Sequence, residues 1–280
     1  MKKIFIFGST GYFGTHFTNF FKNKGWNVLT ERVDIRDYNA VNKVLKNNMP
    51  DVVLNCTGKS GSPNIDWCED HKEETMEVNV GGSLNIACVC NELNLYLAQM
   101  GSGCIYKGDN NGKGFSEEDE PNFFGSFYSR TKIISEKILK EFNALQLRVR
   151  IPIEGSSSRK NAIDKLTKYV KVISVENSFT IVEDFLPAAY HLIENREKGI
   201  FNMTNTGSMT QEYMLTKYNE IVDPNKKFTY ITVEELEKMV KAERSNCVLN
   251  TNKREKAGAI MPPIKGRIIK ILKNYKDSLN

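Results

Sequence analysis

Residues 3–14 read Lys3-Ile4-Phe5-Ile6-Phe7-Gly8-Ser9-Thr10-Gly11-Tyr12-Phe13-Gly14. A short apolar run meets a glycine, then a helical pattern from Tyr12 to Asn23 that Gly25 stops. Strand, glycine loop and helix in that order suit a pyrophosphate. Glycines let the backbone turn tightly and come close, and the helix N-terminus offers free N–H donors and the positive end of a dipole. The spacing is G-x-x-G-x-x-G rather than G-x-G-x-x-G, and its place between the first strand and the first helix gives it meaning. Gly8, Ser9, Thr10, Gly11, Tyr12, Phe13 and Gly14 are thus candidate contacts for a dinucleotide cofactor.

The alternation continues outward. Strands are expected at Trp26 to Thr30, Asp51 to Cys56, Tyr96 to Ser102 and Leu145 to Ile151. Helices are expected at Tyr38 to Asn47, at Glu69 to Leu93 with a bend near Gly81-Gly82, and at Ser126 to Phe142. This predicts an α/β, doubly wound parallel sheet covered on both faces. After Pro152 the alternation weakens: Ser156 to Lys171 is polar and basic, then helical. Val182 to Glu194 reads as a helix, and Gly199 to Met203 as a strand returning to the sheet edge. The expected organisation is a dinucleotide-binding core over 1–155, rejoined by 178–203. A smaller, mostly helical lobe (156–177 and 204–280) closes over the sheet's carboxyl edge, where such sheets bind ligands.

The bulk composition excludes several classes. The chain has 280 residues, 40% hydrophobic and 26% charged, as an ordinary globular protein has. Its net charge of +5 comes from scattered lysines, which argues against nucleic acid as partner and suits polyphosphate ligands. No segment approaches the ~18 apolar residues of a membrane span. The apolar run at the N-terminus is too short for a signal peptide. Six cysteines, Cys56, Cys68, Cys88, Cys90, Cys104 and Cys247, match neither a zinc site nor a disulfide framework, so no metal is expected and a reducing, cytoplasmic setting is.

Tyr128 and Lys132 stand one helical turn apart in Tyr128-Ser129-Arg130-Thr131-Lys132, so both point the same way. An ammonium beside a phenol favours phenolate and should lower the tyrosine pKa from its usual ~10. Such a phenol can give a proton to a carbonyl oxygen while hydride reaches the carbon. Ser102, at the carboxyl end of a strand, offers a hydroxyl to that oxygen or simply caps the strand end. At the end of the second strand, Glu31 favours a free ribose hydroxyl and Arg32 a ribose phosphate, leaving NADH against NADPH open. Asp34 and Ile35 are adenine contacts, or Asp34 is the cap of the next helix. His16, His71 and His191 fall outside every motif and read as structural or surface residues.

Ser102, Tyr128 and Lys132 resemble the Ser-Tyr-Lys set of the extended short-chain dehydrogenase/reductases. Longer stretches narrow the resemblance. They are Pro63-Asn64-Ile65-Asp66-Trp67-Cys68-Glu69, Gly103-Cys104-Ile105, Gly114-Phe115, Pro121-Asn122-Phe123-Phe124-Gly125-Ser126-Phe127-Tyr128-Ser129, Leu147-Arg148-Val149-Arg150-Ile151-Pro152-Ile153 and Arg244-Ser245-Asn246. Over nearly its whole length the chain resembles the bifunctional nucleotide-rhamnose synthase/epimerase-reductases. It is more distantly similar to the dTDP-4-dehydrorhamnose reductases. The resemblance implies conversion of UDP-4-keto-6-deoxy-D-glucose, or its dTDP analogue, to the L-rhamnose nucleotide with NADPH, NADH staying open. The two carbons flanking the ketone are inverted, then the ketone is reduced. A separate 4,6-dehydratase would supply the substrate, since the chain starts with the reductase's first strand; homodimerisation stays open.

The resemblance implies Cys104 and Lys165 as the epimerisation residues. Inversion beside a ketone needs a base and an acid. Cys104 lies two residues after Ser102, on the same strand face and ~6.6 Å along it, the reach of a sugar ring. A nearby cation favours its thiolate. Lys165 sits in Asn161-Ala162-Ile163-Asp164-Lys165, where burial and a neighbouring cation would lower its pKa. The resemblance further implies Cys56, Thr57, Gly58 and Pro152 at the cofactor, and Asn64, Asn122, Asn161, Arg244 and Asn246 at the substrate. Ser102 stands where the family usually has threonine, and Ser9 replaces a loop lysine. The alternatives are a plain 4-keto reductase and a non-catalytic nicotinamide-binding regulatory subunit.

Overall fold

The computed structural model describes residues 1–279. Its centre is a six-stranded sheet with every neighbouring pair parallel, in the order Asn27–Leu29, Lys3–Phe7, Val52–Asn55, Tyr96–Ser102, Leu145–Val149 and Gly199–Asn202. β1 (Lys3–Phe7) leads through the glycine loop into α1 (Tyr12–Asn23). β2 (Asn27–Leu29) and α2 (Tyr38–Asn48) follow, then β3 (Val52–Asn55). β1 buries Ile4 and Ile6 with Phe17 and Phe21 of α1, and Phe5 and Phe7 with Val41 and Leu45 of α2. A strand's side chains alternate between faces, so a continuous apolar run is what a sheet covered on both sides requires.

The helix expected over Glu69 to Leu93 is four pieces: α3 (Trp67–Asp70), α4 (Lys72–Met76), a wider π-helical turn over Glu77–Gly82, and α5 (Ser83–Glu92). The expected bend at Gly81-Gly82 is this π turn. A side chain on Gly82 would overlap Ile35, so glycine lets the helix lie against the chain beyond β2. The turn also aims buried Asn79 inward. Its amide donates to the Lys59 carbonyl at 2.9 Å and to Thr131 Oγ1 at 3.0 Å. π turns often mark functional regions, and this one joins the loop after β3 to the helix that carries Tyr128.

β4 (Tyr96–Ser102) precedes a long loop, α6 (Phe127–Leu139), a single 3-10 turn and β5 (Leu145–Val149). Beyond β5 come β6 (Pro152–Ile153), α7 (Ala162–Leu166), β7 (Lys171–Ile173), β8 (Thr180–Ile181) and α8 (Val182–Glu194). β9 (Gly199–Asn202) returns to the sheet beside β5, as its pattern predicts. The remainder holds α9 (Gln211–Ile221), β10 (Thr229–Ile231), α10 (Val233–Glu237), α11 (Asn252–Lys256) and α12 (Ile264–Asp277). Two short pairs, β10 with β7 and β6 with β8, are structure the periodicity does not show. A second apolar cluster, with Ile153, Ile163, Phe179, Met214 and Ile268, packs α7, α9 and α12 together. Among the described residues no helix is long and apolar enough to cross a membrane.

Candidate active site

The glycine loop is shaped for close approach. Gly8 has φ +70°, a conformation side chains rarely adopt, and its carbonyl accepts from Gly11 N at 2.9 Å. A side chain on Gly14 would overlap the Gly8 carbonyl, so α1 can leave the loop this tightly only with glycine there. Gly11 caps α1 without a side chain, and the first turn holds no acid. An uncapped, acid-free helix start fits a pyrophosphate. Behind the loop, His16 Nε2 lies 3.2 Å from Oε2 of buried Glu154. Burial raises the Glu154 carboxyl, but His16 and neighbouring hydroxyls outweigh it and hold it at about 2. Burial and then Glu154 push the Tyr12 phenol upward. His16 is therefore a buttress of the loop. Cys56 and Thr57 follow β3 beside Gly8, and Thr57 Oγ1 donates to Asn55 Oδ1 at 2.6 Å.

At the end of β2, Glu31 and Arg32 are exposed. Asp34 does not cap α2; Asp37 does, accepting from Ala40 N at 3.1 Å. Asp34 instead takes Arg36 Nη2 at 2.7 Å and Arg36 N at 3.0 Å, which holds its carboxyl at about 2. Arg36 also reaches Glu77 at 3.1 Å, so an arginine not singled out in the sequence occupies this corner. Ile35 is buried against Gly82.

β4, the turn that follows it and α6 bring Ser102, Cys104, Tyr128 and Lys132 together; the strand ends at Ser102, so Cys104 lies in the turn beyond it rather than on the same strand face. Ser126 begins α6, accepting from Ser129 N at 3.1 Å, and Glu69 Oε1 accepts from Phe127 N at 2.6 Å. Two oxygen acceptors thus fix the helix start one residue from Tyr128. Lys132 is 8% exposed, and its Nζ donates to the Met100 carbonyl at 3.2 Å. Burial lowers its pKa from 10.5 to about 8, against the pull of Glu136 and Cys104. The Tyr128 phenol is pushed up, by burial first and by Cys104 next, while a hydrogen bond from Ser102 acts the other way. This reverses the sequence expectation. The ammonium is satisfied by a backbone carbonyl, and desolvation governs the phenol. A raised phenol stays protonated at neutral pH, as a proton donor must. Cys104 N donates to Ser102 Oγ at 3.2 Å, and Cys104 Sγ accepts from Arg150 Nη1 at 3.3 Å.

The other sequence candidates serve mostly as braces. Asn64 Oδ1 accepts from Asp66 N at 2.8 Å, and Asn122 Oδ1 from Lys107 N at 2.8 Å. Asn161 is fully buried, caps α7 and donates to the carbonyls of Glu154 and Ser156 at 2.9 and 2.8 Å. Asn246 Oδ1 accepts from Asn177 Nδ2 at 3.1 Å. The Arg244 fork, expected at a diphosphate, closes here on Asp66, Nη1 to Oδ1 at 2.9 Å and Nη2 to Oδ2 at 3.1 Å. Lys165 is exposed on α7, and its ammonium has no hydrogen-bond partner among the described residues. The surrounding protein and the charges of Lys160 and Arg159 push its pKa down. A cavity of about 380 Å³ opens between Gly58, Lys59, Ser60, Ser62, Trp67 and Lys160, beside the carboxyl end of β3.

A family profile described as RmlD substrate binding domain matches residues 1–276. The chain belongs to that family. It is 37% identical over 275 residues to a trifunctional UDP-glucose 4,6-dehydratase/UDP-4-keto-6-deoxy-D-glucose 3,5-epimerase/UDP-4-keto-L-rhamnose-reductase of Arabidopsis thaliana. That match covers 96% of this chain but 41% of the relative, so the chain spans about two fifths of its length. A bifunctional dTDP-4-dehydrorhamnose 3,5-epimerase/dTDP-4-dehydrorhamnose reductase of the same plant is 35% identical, over 95% of this chain and 91% of its own. The crystal structure of the UDP-rhamnose synthase from Acanthamoeba polyphaga mimivirus superposes with a TM-score of 0.94 at 31% identity, covering 97% of this chain and 99% of that one.

In this RmlD-family chain the sequence reading misses a buried polar frame. Arg148, 1% exposed on β5, forms a two-pronged ion pair with Glu136 of α6, Nε to Oε2 and Nη2 to Oε1 at 2.7 Å each. The pair pins the helix of Tyr128 and Lys132 to the sheet. Asn55 Nδ2 donates to Gln99 Oε1 at 2.8 Å across β3 and β4. Arg150 lies buried beneath Cys104. The available signal is Leu147-Arg148-Val149-Arg150, where two arginines sit on one strand face amid apolar neighbours, a pattern no solvent-facing strand of a covered sheet explains.

Proposed function

We propose that this chain inverts the two carbons flanking the ketone of UDP-4-keto-6-deoxy-D-glucose and reduces the ketone with NADPH, giving UDP-L-rhamnose. The observation that carries the reading is one site at the carboxyl end of β4: Cys104 N donates to Ser102 Oγ at 3.2 Å, Ser102 hydrogen-bonds the Tyr128 phenol, and Lys132 Nζ donates to the Met100 carbonyl at 3.2 Å. The names of the relatives support it, the bifunctional one most directly because it matches over nearly its own full length. Gly8, Gly11 and the start of α1 hold the cofactor's pyrophosphate, and exposed Arg32 is the residue for a ribose phosphate, the basis for NADPH over NADH. Asp34, Ile35, Cys56, Thr57, Gly58 and Pro152 complete the cofactor side. A bound nicotinamide supplies hydride to the carbonyl carbon.

The residues divide the work. Ser102 holds the carbonyl oxygen, and protonated Tyr128 gives that oxygen its proton. Lys132 keeps the helix face charged and fixed to Met100. In the earlier stage Cys104 removes the proton from each flanking carbon in turn and Lys165 returns one on the opposite face. The nucleotide sugar lies between the sheet's carboxyl edge and residues 156–177 and 204–280, the substrate-binding portion. A dehydratase reaction supplies the keto sugar.

The test is incubation of the full chain with UDP- or dTDP-4-keto-6-deoxyglucose and either nicotinamide cofactor in deuterated water, with products identified by NMR. The expected product from the UDP sugar is UDP-L-rhamnose deuterated at both flanking carbons. Cys104→Ala should lose deuterium uptake yet reduce a pre-epimerised 4-keto sugar. Unchanged uptake in that variant removes the epimerase half, and no cofactor oxidation with either sugar removes the whole reading.

A further inference from the structure

Arg150 is 1% exposed, and all five of its N–H groups are spent. Nε and Nη2 donate to Asn177 Oδ1, Nη2 also to the Ser245 carbonyl at 2.5 Å, and Nη1 to Ser245 Oγ at 3.2 Å and Cys104 Sγ at 3.3 Å. Its hydrogen bonding is complete, but its charge is not answered. Among the described residues no carboxylate lies within ion-pair distance of it, unlike Arg148 two positions earlier, which has Glu136. An arginine stays charged in a protein interior, and an unpaired buried charge is costly. Of the groups Arg150 touches, two are neutral side chains and one a backbone carbonyl. Only the Cys104 sulfur can become an anion. Ile151, next to Arg150, has φ +36°, an outlier for a β-branched residue.

We propose that Arg150 is the counter-ion of a Cys104 thiolate, and thereby a positioning residue that holds the sulfur charged and aimed at the substrate. Its catalytic consequence rests on the epimerase reading above. In the step it serves, a sulfur lone pair takes the proton from a carbon flanking the ketone. The C–H bond breaks, an S–H bond forms, and the C–H electron pair moves into an enolate whose oxygen faces Ser102 and Tyr128. The ionisable groups on which Cys104 bears are Tyr128, Lys132 and Cys247, none of them a carboxylate. Lys132 is committed to the Met100 carbonyl, which leaves Arg150 as the cation in contact with the sulfur.

The experiment is alkylation of the full chain with iodoacetamide across pH 6.5 to 9, the modified peptide of each cysteine being quantified by mass spectrometry. An ordinary thiol, near ~8.5, speeds up by on the order of a hundredfold over that range. Cys104 of the unaltered chain is expected to change by less than about tenfold. Partly exposed Cys88, whose thiol burial and then Glu92 push up, should rise at least as steeply as an ordinary thiol. Arg150→Gln should slow Cys104 alkylation at pH 7 by about tenfold or more, the worth of one charge-assisted hydrogen bond. Arg150→Lys, which keeps the charge, should recover part of that loss. A Cys104 profile in the unaltered chain that rises like that of Cys88 overturns the pairing, whether or not Arg150→Gln folds. So does a folded Arg150→Gln chain that alkylates at the original rate. Deuterium uptake by Cys104→Ala is scored separately: if uptake persists the epimerase reading falls, while the alkylation profile still decides the ion pair.

Discussion

Replacing Lys132 by methionine removes a charge that folding has to bury. Lys132 is 8% exposed, its ammonium has only the Met100 carbonyl as direct partner among the described residues, and burial brings its pKa from 10.5 to about 8. At neutral pH that displacement costs the folded state about 3 kcal/mol relative to water. Methionine keeps the packing of the stem but strips a donor from the Met100 carbonyl, a loss of about 1 kcal/mol. Lys132→Met should therefore be about 2 kcal/mol more stable at pH 7 while losing reductase activity, as polar residues held at active sites often trade stability for function. The sign with pH follows from linkage. The folded value lies below the unfolded one, so the unfolded chain binds more protons between about 8 and 10.5, and the cost fades as pH rises through that window. Urea unfolding of both proteins at pH 7 and pH 9.5 measures it, and the advantage of the variant should shrink by about 2 kcal/mol. An advantage that is equal at the two pH values, or a variant less stable at pH 7, would refute the reasoning.

Three further expectations follow from the same contacts. Gly14→Ala pushes a methyl into the Gly8 carbonyl, so it should cost about 2 kcal/mol or more and abolish nicotinamide binding, measured by melting and by cofactor fluorescence; unchanged binding would show that the loop does not hold the cofactor. Arg148→Met strands buried Glu136 and should cost about 3–5 kcal/mol in urea unfolding, most of it recovered when Glu136→Leu is added; a double variant as weak as the single one would contradict the ion-pair account. Burial raises the Asp66 carboxyl, but Arg244 and backbone N–H groups outweigh it and hold it below its ordinary range. Stability from this tether is thus present above the ordinary carboxylate pKa and lost as pH falls through the lowered value; Asp66→Asn should unfold more readily at pH 7 and match the unaltered chain in strong acid.

Much of the fold can be read from local pattern, because a parallel sheet covered on both faces needs unbroken apolar strands such as Lys3–Phe7 and Val52–Asn55. Gly8 and Gly14 are legible for a related reason: each is where a side chain meets backbone. Contacts between distant residues are not legible. Tyr128 and Lys132 share a helix face, but the direction in which Tyr128 titrates depends on how deeply α6 sinks against β4, which no spacing encodes. That Arg244 pairs with Asp66, far away in the chain, is likewise a contact no local pattern gives. The strand pairs β7 with β10 and β6 with β8 are too short to show a period. The motif from Pro63 to Glu69 reads as a signature and proves to be a joint, with Glu69 on the start of α6 and Asp66 on residues 242 and 244.

The Arg150 contacts have a consequence for how the protein is made. The guanidinium leans on Asn177 and Ser245, and Ser245 in turn donates to the Tyr106 carbonyl at 2.6 Å. A nascent chain can lay down β1 to β5 once about half of it has been synthesised, because those strands pair with one another. The last of the partners that hold Arg150 against the Cys104 sulfur arrives with residue 245. Until then Arg150 lacks the Ser245 carbonyl and hydroxyl, acceptors for two of its five N–H groups. Translation order thus separates scaffold from reactivity: the framework matures early, and the sulfur acquires its setting among the last contacts to form.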